Sequence, residues 1–257
     1  MQQTKILERT ESQELRGLDP GRNCLANAKS FALPTFALLA PAAAAREEAE
    51  AFVAKRFFTS YGARHSEYLP WFTTMHHQGE MTAAAGIALA FDRNPLYLER
   101  YLASSIEQSV SKATGHCVAR DQIAEVGNLA GASFGGEHIG SSRLLYIVLA
   151  SVLERARIDW MVFTATRPLL ASLKRLGLAP IDLGAATDSC LDPIERHNWG
   201  SYYEHEPRVV AAPLASANQS IEARAQFAAI RAHYQTEIMA MARELSVSSS
   251  ISARPLG

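Results

Sequence analysis

The stretch EVGNLAGASFGGEHIGSS, residues 125–142, gathers residue types that could do chemistry. It opens like a strand, carries five glycines and ends where a helix should begin. Such a segment can be a phosphate cradle, because successive backbone N–H groups and a helix N-terminus attract anions. It can equally be an active-site strand, or a plain turn whose glycines permit positive φ. Glu125 is costly in an apolar strand without a partner, and Arg120 is a candidate for that partner. On a regular strand Glu125 and Gly127 face one side, and Val126 and Asn128 the other. Glu125 and Asn128 therefore share a face only if a bulge intervenes, which the glycine permits.

Two further clusters could contribute. FTATRP places Thr164 and Thr166 on one face at the carboxyl end of a strand. Ligands in open α/β sheets gather there, although threonine is also an ordinary strand former. WGSYYEHEP packs Trp199, Tyr202, Tyr203 and His205 into one loop. That loop could line a pocket and supply a tyrosine acid, or simply fold over the sheet edge. His76 and His77 fall in a hairpin turn and point to opposite faces, which is poor ligand geometry, so no metal site is expected. Cys117 and Cys190 show no obvious histidine partner in sequence, and a cysteine nucleophile would need one in space.

The elements that must position these residues follow from periodicity. Phe31 to Leu39 reads as a strand. Arg46 to Ala63 reads as a helix, with Ala49, Phe52, Val53 and Phe57 on one face, acids in the first turn and Gly62 as its stop. An antiparallel hairpin surrounds HHQGE. Two short helices, NPLYLERYL and SIEQSVSKA, precede a strand from about Gln122. SSRLLYIVLASVLERA is a helix with Leu145, Val148, Leu149, Val152 and Leu153 as its stripe. DWMVFTAT is a continuous apolar run, as in a strand covered on both faces. A helix ending at Gly177 and strands at APIDLG and RVVAAPL follow. Phe227, Ile230, Tyr234, Ile238, Met241 and Leu245 form the stripe of a C-terminal helix. This order gives an α/β fold with a mixed sheet, helices on both faces, and a right-handed βαβ unit near 122–166.

Composition narrows the function classes. The chain has 257 residues, 48% hydrophobic and 20% charged, with a net charge of -1. It has no global basic field to recruit nucleic acid or anionic lipid, so no nucleic-acid partner is expected. Three scattered cysteines without CxxC spacing argue against a disulfide scaffold or zinc ribbon and favour a reducing, cytoplasmic setting. The N-terminus lacks the apolar core of a secretory signal. Ser30 to Ala45 is apolar but too short, and too interrupted by proline, to span a bilayer. The expected organisation is a flexible arm over 1–29, a domain over 30–217, a C-terminal helix over 218–247 and a disordered tail over 248–257.

Six pieces occur in one order: YGA at 61–63, LYLERYL at 96–102, EVGNLA at 125–130, FTAT at 163–166, RLGL at 175–178 and WGSYY at 199–203. Together they resemble the thermostable haemolysin family, a branch of the GNAT-like acyltransferase superfamily near the acyl-homoserine lactone synthases. The resemblance implies a GNAT-like fold with an added C-terminal helix. It also implies transfer of an acyl group to a small-molecule amine in secondary metabolism. The cosubstrate would be an acyl thioester, acyl-carrier protein or acyl-CoA, with no tightly bound cofactor. Such chemistry needs a base for the ammonium proton and donors for the oxyanion, which would fall to Glu125 and Asn128, with Tyr202 reprotonating the leaving thiolate. GNAT enzymes resemble one another in an Arg/Gln-x-x-Gly-x-Gly/Ala loop that binds pyrophosphate. Here that spacing gives Glu137 to Ser142, so Gly136, His138, Gly140, Ser141, Ser142 and Arg143 would cradle the thioester arm. Glu137 departs from the pattern and would repel a diphosphate, which leaves room for a carrier protein's phosphodiester arm. Thr164, Thr166, Trp199 and Tyr203 would contact substrate. Fold does not fix activity. The family takes its name from cell lysis, so a cytolytic protein and a non-catalytic GNAT-like binding module are the alternatives. A lysin should offer a long apolar segment or a basic amphipathic helix. The C-terminal helix instead mixes signs, with Glu222, Arg224, Arg231 and Glu237, and suits packing on the domain or a partner.

Overall fold

The computed structural model describes residues 33–64, 66–93, 95–131, 141–175 and 177–252, the side chains of 141, 142, 175 and 248–252 aside. The expected N-terminal arm lies outside these residues.

Among them a seven-stranded sheet runs in the order β1-β2-β3-β4-β5-β7-β6. Its strands are β1 (Thr35–Leu39), β2 (Trp71–His77), β3 (Glu80–Leu89), β4 (Ile123–Gly131), β5 (Trp160–Ala165), β6 (Ile181–Ala185) and β7 (Arg208–Pro213). All neighbours are antiparallel except β4 and β5, the two arms of the βαβ unit. The mixed α/β sheet is the one the sequence leads one to expect. The β2–β3 turn is Gln78–Gly79, at φ 53° and 85°. Positive φ at both central residues is what a type I′ turn requires. His76 and His77 therefore end β2, opposite Met81 and Glu80, and do not form the turn itself.

One face of the sheet carries α1 (Arg46–Tyr61), a 3₁₀ segment at Tyr97–Tyr101 and α2 (Ile106–Thr114). Ala49 and Val53 of α1 are fully buried against it, and Gly62 closes the helix at φ 66°. The opposite face carries α3 (Ser141–Arg155), whose stripe of Leu145, Val148, Leu149, Val152 and Leu153 is buried in the largest core. α4 (Arg167–Arg175) follows β5, and α5 (Pro193–Asn198) leads into the aromatic loop.

The C-terminal part differs from the single helix expected over 218–247. It is three helices: α6 (Leu214–Glu222), α7 (Ala225–His233) and α8 (Gln235–Ser252). The stripe runs on through the break because Tyr234, at the α7–α8 junction, is itself buried, packing edge-on against Phe36 at 4.8 Å. Arg231 joins the layers by pairing with Glu154 at 2.9 Å and Glu222 at 3.1 Å. So two of those mixed-sign charges, Glu222 and Arg231, pair with each other, and Arg231 also ties α7 to α3 through Glu154. α8 also reaches Ser252, within the stretch expected to be a tail; 253–257 lie outside the described residues.

Candidate active site

The parallel pair β4–β5 is joined only from Ile123–Trp160 to Glu125–Val162. Beyond that point the strands diverge, leaving backbone groups of β4 facing a gap. On its other side β4 carries a bulge. Ala84 pairs with Ala130 and Gly86 with Gly127, so two β4 residues, Asn128 and Leu129, oppose Ala85. Asn128 sits at φ 49°, a left-handed conformation that asparagine tolerates better than most residues.

The bulge changes which residues share a face. Alternation puts Asn128 opposite Glu125, but the left-handed residue turns its side chain to the Glu125 side. There Asn128 Oδ1 accepts from the Leu69 N–H at 2.8 Å, and its Nδ2 donates to the Glu67 carbonyl at 3.2 Å. Gly86 makes room for this amide, since a Cβ there would lie 2.6 Å from Asn128 Oδ1. Both ends of the amide are thus engaged in holding the 67–69 segment against the strand.

Glu125 is 4% exposed. Its Oε2 accepts from the backbone N–H of Tyr97 at 2.9 Å, at the first turn of the 3₁₀ segment. Burial pushes its carboxyl up to about 7, against the opposing pull of the Tyr97 and Leu98 N–H groups and the charge of Arg93. Arg120 is not its partner. That guanidinium grips Glu99 at 2.8 Å and Glu107 at 2.7 Å, two carboxylates it holds below their usual range together with local hydrogen bonds.

A cavity of about 570 Å³ follows the gap through the sheet. That lies within the ~300–1,000 Å³ of small-molecule sites. On the α1 face its walls include Glu125, Tyr97, Tyr101, Trp199 and Tyr202; on the α3 face they include Leu145, Leu149, Met161, Phe163 and Leu173. Val126 to Gly131 form the rim between. The first end is aromatic and polar, and the second is apolar.

The expected residues distribute as follows. Glu125, Asn128, Tyr202, Trp199, Thr164, Thr166 and Arg143 all line this one cavity. Thr166 lies just past β5, where its carbonyl accepts from Leu170 of α4 at 3.0 Å. Tyr203 stands behind the wall, its hydroxyl 2.7 Å from that of Tyr101. Ser141 and Ser142 begin α3, and their side chains lie outside the described residues, as do Gly136, Glu137, His138 and Gly140 entirely. Among the described residues no group of three His, Cys, Asp or Glu side chains is placed to hold a metal ion.

The aromatic loop is fastened to the end of α1. Ser201 N–H donates to the Tyr61 carbonyl at 2.9 Å. Gly200, at φ 53°, passes so close that a Cβ would lie 2.1 Å from the same oxygen. Tyr202 is packed between Trp199 at 4.9 Å, Tyr61 at 5.2 Å and Tyr203 at 5.3 Å. Burial raises the phenols of Tyr97 (to about 12), Tyr101, Tyr202 and Tyr203. They stay protonated at neutral pH.

Sequence reasoning missed Tyr97, Tyr101 and Arg93. The two tyrosines are four apart in LYLERYL, a spacing that puts both on one face of a turn and was a usable signal. Arg93 carries no such signal.

No curated protein sequence matches the chain. Among solved structures it is similar to FeeM, an N-acyl amino acid synthase from uncultured soil microbes, with 12% identity, a TM-score of 0.49, and coverage of 73% of this chain and 94% of that one. It is similar to MesI, a CoA-dependent acyl-homoserine lactone synthase, with 12% identity, a TM-score of 0.45, and coverage of 74% and 94%. The acyl-homoserine lactone synthase LasI gives 13% identity, a TM-score of 0.45, and coverage of 71% and 89%. The family described as thermostable hemolysin matches residues 39–218, which take in the hairpin, the bulged β4, the cavity and the aromatic loop, and the chain belongs to that family.

Proposed function

We propose that the chain is a GNAT-like acyltransferase that moves an acyl group from a carrier-protein or coenzyme A thioester to an amine. One observation carries this: a buried carboxyl group poised at about 7 stands at the polar end of a cavity whose other end is apolar. A base is most effective when its pKa lies near the working pH. The apolar branch suits an acyl chain, and the gap in the sheet suits the thioester carbonyl.

In the proposed sequence Glu125 takes a proton from the acceptor's ammonium group. The freed amine attacks the thioester carbon, and the C–N bond forms. Backbone N–H groups of β4 on its unpaired edge, toward β5, face the developing oxyanion. The C–S bond then breaks. A phenol of the aromatic wall, Tyr202 or Tyr101 with Tyr203 behind it, passes a proton to the thiolate and recovers one from the nitrogen. The products are an amide and a free thiol, with one proton released through Glu125. Asn128 serves by fixing the strand geometry, since its amide is already engaged. At the other end of β4, Ser141, Ser142 and Arg143 open α3, where a helix N-terminus favours the phosphate of the thioester arm. Trp199 and the two threonines shape the walls. We place the reaction in the cytoplasm, where free thiols such as Cys117 and Cys190 stay reduced.

The test is a screen of acyl-CoA and acyl-carrier protein donors against a panel of amines, following thiol release. Turnover with at least one donor is expected. No turnover with either donor, together with no thioester binding by calorimetry, would overturn the proposal. Among the described residues no helix is long and apolar enough to cross a membrane.

A further inference from the structure

One cation of the cavity forms no salt bridge with any described residue, and its charge acts on Glu125. Arg93 lines the cavity with Glu125 and is half-buried. Neighbouring arginines are engaged: Arg120 with Glu99 and Glu107, and Arg100 with Glu195 at 3.1 Å while lying 4.1 Å over the Tyr97 ring. The backbone of Arg93 is fixed at both ends. Its N–H donates to the Leu89 carbonyl at 3.1 Å, and its own carbonyl accepts from Arg120 Nη2 at 3.1 Å. Its guanidinium, by contrast, forms no ion pair or hydrogen bond with any described residue. Its donors are therefore available to an incoming anion, which a guanidinium binds by charge-assisted hydrogen bonds.

Its position says which anion. Arg93 follows β3, whose Leu89 pairs with Ala124 at the start of β4. Arg143 and the beginning of α3 lie past the other end of β4, at Gly131. Seven residues of strand separate the two ends, roughly 20 Å at ~3.3 Å per residue. The phosphate of the thioester arm belongs to the α3 end, so it does not reach Arg93. Arg93 stands instead beside the base, where the amine must be.

We infer that Arg93 receives the acid group of the acceptor, and that the acceptor is therefore an amino acid or a similar aminocarboxylate. The amine then points at Glu125 while the guanidinium holds the carboxylate, two contacts that fix both position and orientation. This rests on the acyl-transfer proposal for the same site.

The experiment pairs amines that differ only in their acid. Glycine and phenylalanine are compared with glycinamide and phenylalaninamide in the thiol-release assay, using wild type, Arg93→Gln and Arg93→Lys. Wild type should favour the acids about ten- to a hundredfold in kcat/KM, the scale of a charge-assisted hydrogen bond. Arg93→Gln should lose that preference, the acid-to-amide ratio of kcat/KM falling to about one even where loss of its charge on Glu125 changes both rates together, and Arg93→Lys should recover part of it. Equal rates on acid and amide in wild type, or an equal fall on both in Arg93→Gln, would overturn the inference and leave acyl transfer standing. Binding gives an arm independent of turnover: the thermal shift caused by N-dodecanoylglycine against N-dodecanoylglycinamide. Arg93-dependent preference for the acid without any turnover would keep the carboxylate site and sink the acyl transfer. No preference in binding and no turnover would remove both. The guanidinium of Arg93 makes no hydrogen bond or salt bridge to a described residue, so both variants should melt close to wild type.

Discussion

Replacing Glu125 with glutamine separates what this carboxylate does for stability from what it does for catalysis. The glutamine Oε can still accept from the Tyr97 N–H, so the 2.9 Å bond survives. What changes is the ionisation. The carboxyl rises from 4.5 to about 7 on folding. Between those values the unfolded chain is ionised while the folded one holds its proton, so wild-type stability falls as pH rises. At 1.36 kcal/mol per pH unit the loss totals about 3 kcal/mol and levels off above pH ~7. Glu125→Gln carries no such loss. Urea denaturation from pH 4 to 9 should show the variant close to wild type near pH 4 and more stable above neutrality, by an amount approaching about 3 kcal/mol. In the same samples the variant's kcat/KM should be lower by about 10²–10⁴, the usual contribution of a general base. The wild-type rate should climb with an apparent pKa near 7 as Glu125 loses its proton, and the variant's should not. A variant that is less stable than wild type at pH 8, or equally active there, would refute the reasoning.

Asn128→Ala should cost about 2–4 kcal/mol in urea, from the orphaned Leu69 N–H and the left-handed backbone; Asn128→Gly, which keeps the backbone, should cost less. Gly200→Ala should lower Tm and raise the fluorescence quenching of Trp199 by added iodide, because its Cβ has no room beside the Tyr61 carbonyl and the aromatic loop must lift. Tyr101→Phe removes the 2.7 Å hydroxyl pair with Tyr203; kcat should drop several-fold with little change in KM, and an unchanged kcat would make the pair structural. Ser172→Trp should narrow the apolar branch, so that long acyl donors lose rate while short ones keep theirs.

Much of the scaffold was legible because it rests on periodicity. The α3 stripe, the apolar run of β5 and the glycine stop at Gly62 each carry their own local signal. The site was legible only in part. Glu125, Asn128, Trp199 and Tyr202 stood out by residue type, and they do meet in one cavity. Strict alternation could not say that Asn128 turns to the Glu125 side, since that depends on one left-handed residue and a two-for-one register with β3. Arg120 looked like a partner for Glu125 because both are close in sequence; the 3₁₀ segment brings Glu99 to Arg120 instead. Arg93 was invisible, since nothing local in the sequence says that the end of β3 brings it beside Glu125 in the cavity. The α7–α8 break was hidden because Tyr234 keeps the stripe in phase across it. The order β5-β7-β6 reflects long-range pairing that local periodicity cannot encode.

The most direct test of acyl transfer through the splayed sheet is a crystal structure with a non-hydrolysable acyl thioester analogue, the thioester sulfur replaced by a methylene. The acyl chain should lie between β4 and β5 against Leu145, Met161 and Phe163, with the carbonyl at the bulge. A space for the amine should remain within ~3 Å, or one water, of Glu125. An analogue bound elsewhere, or with its acyl chain outside the sheet, would contradict it.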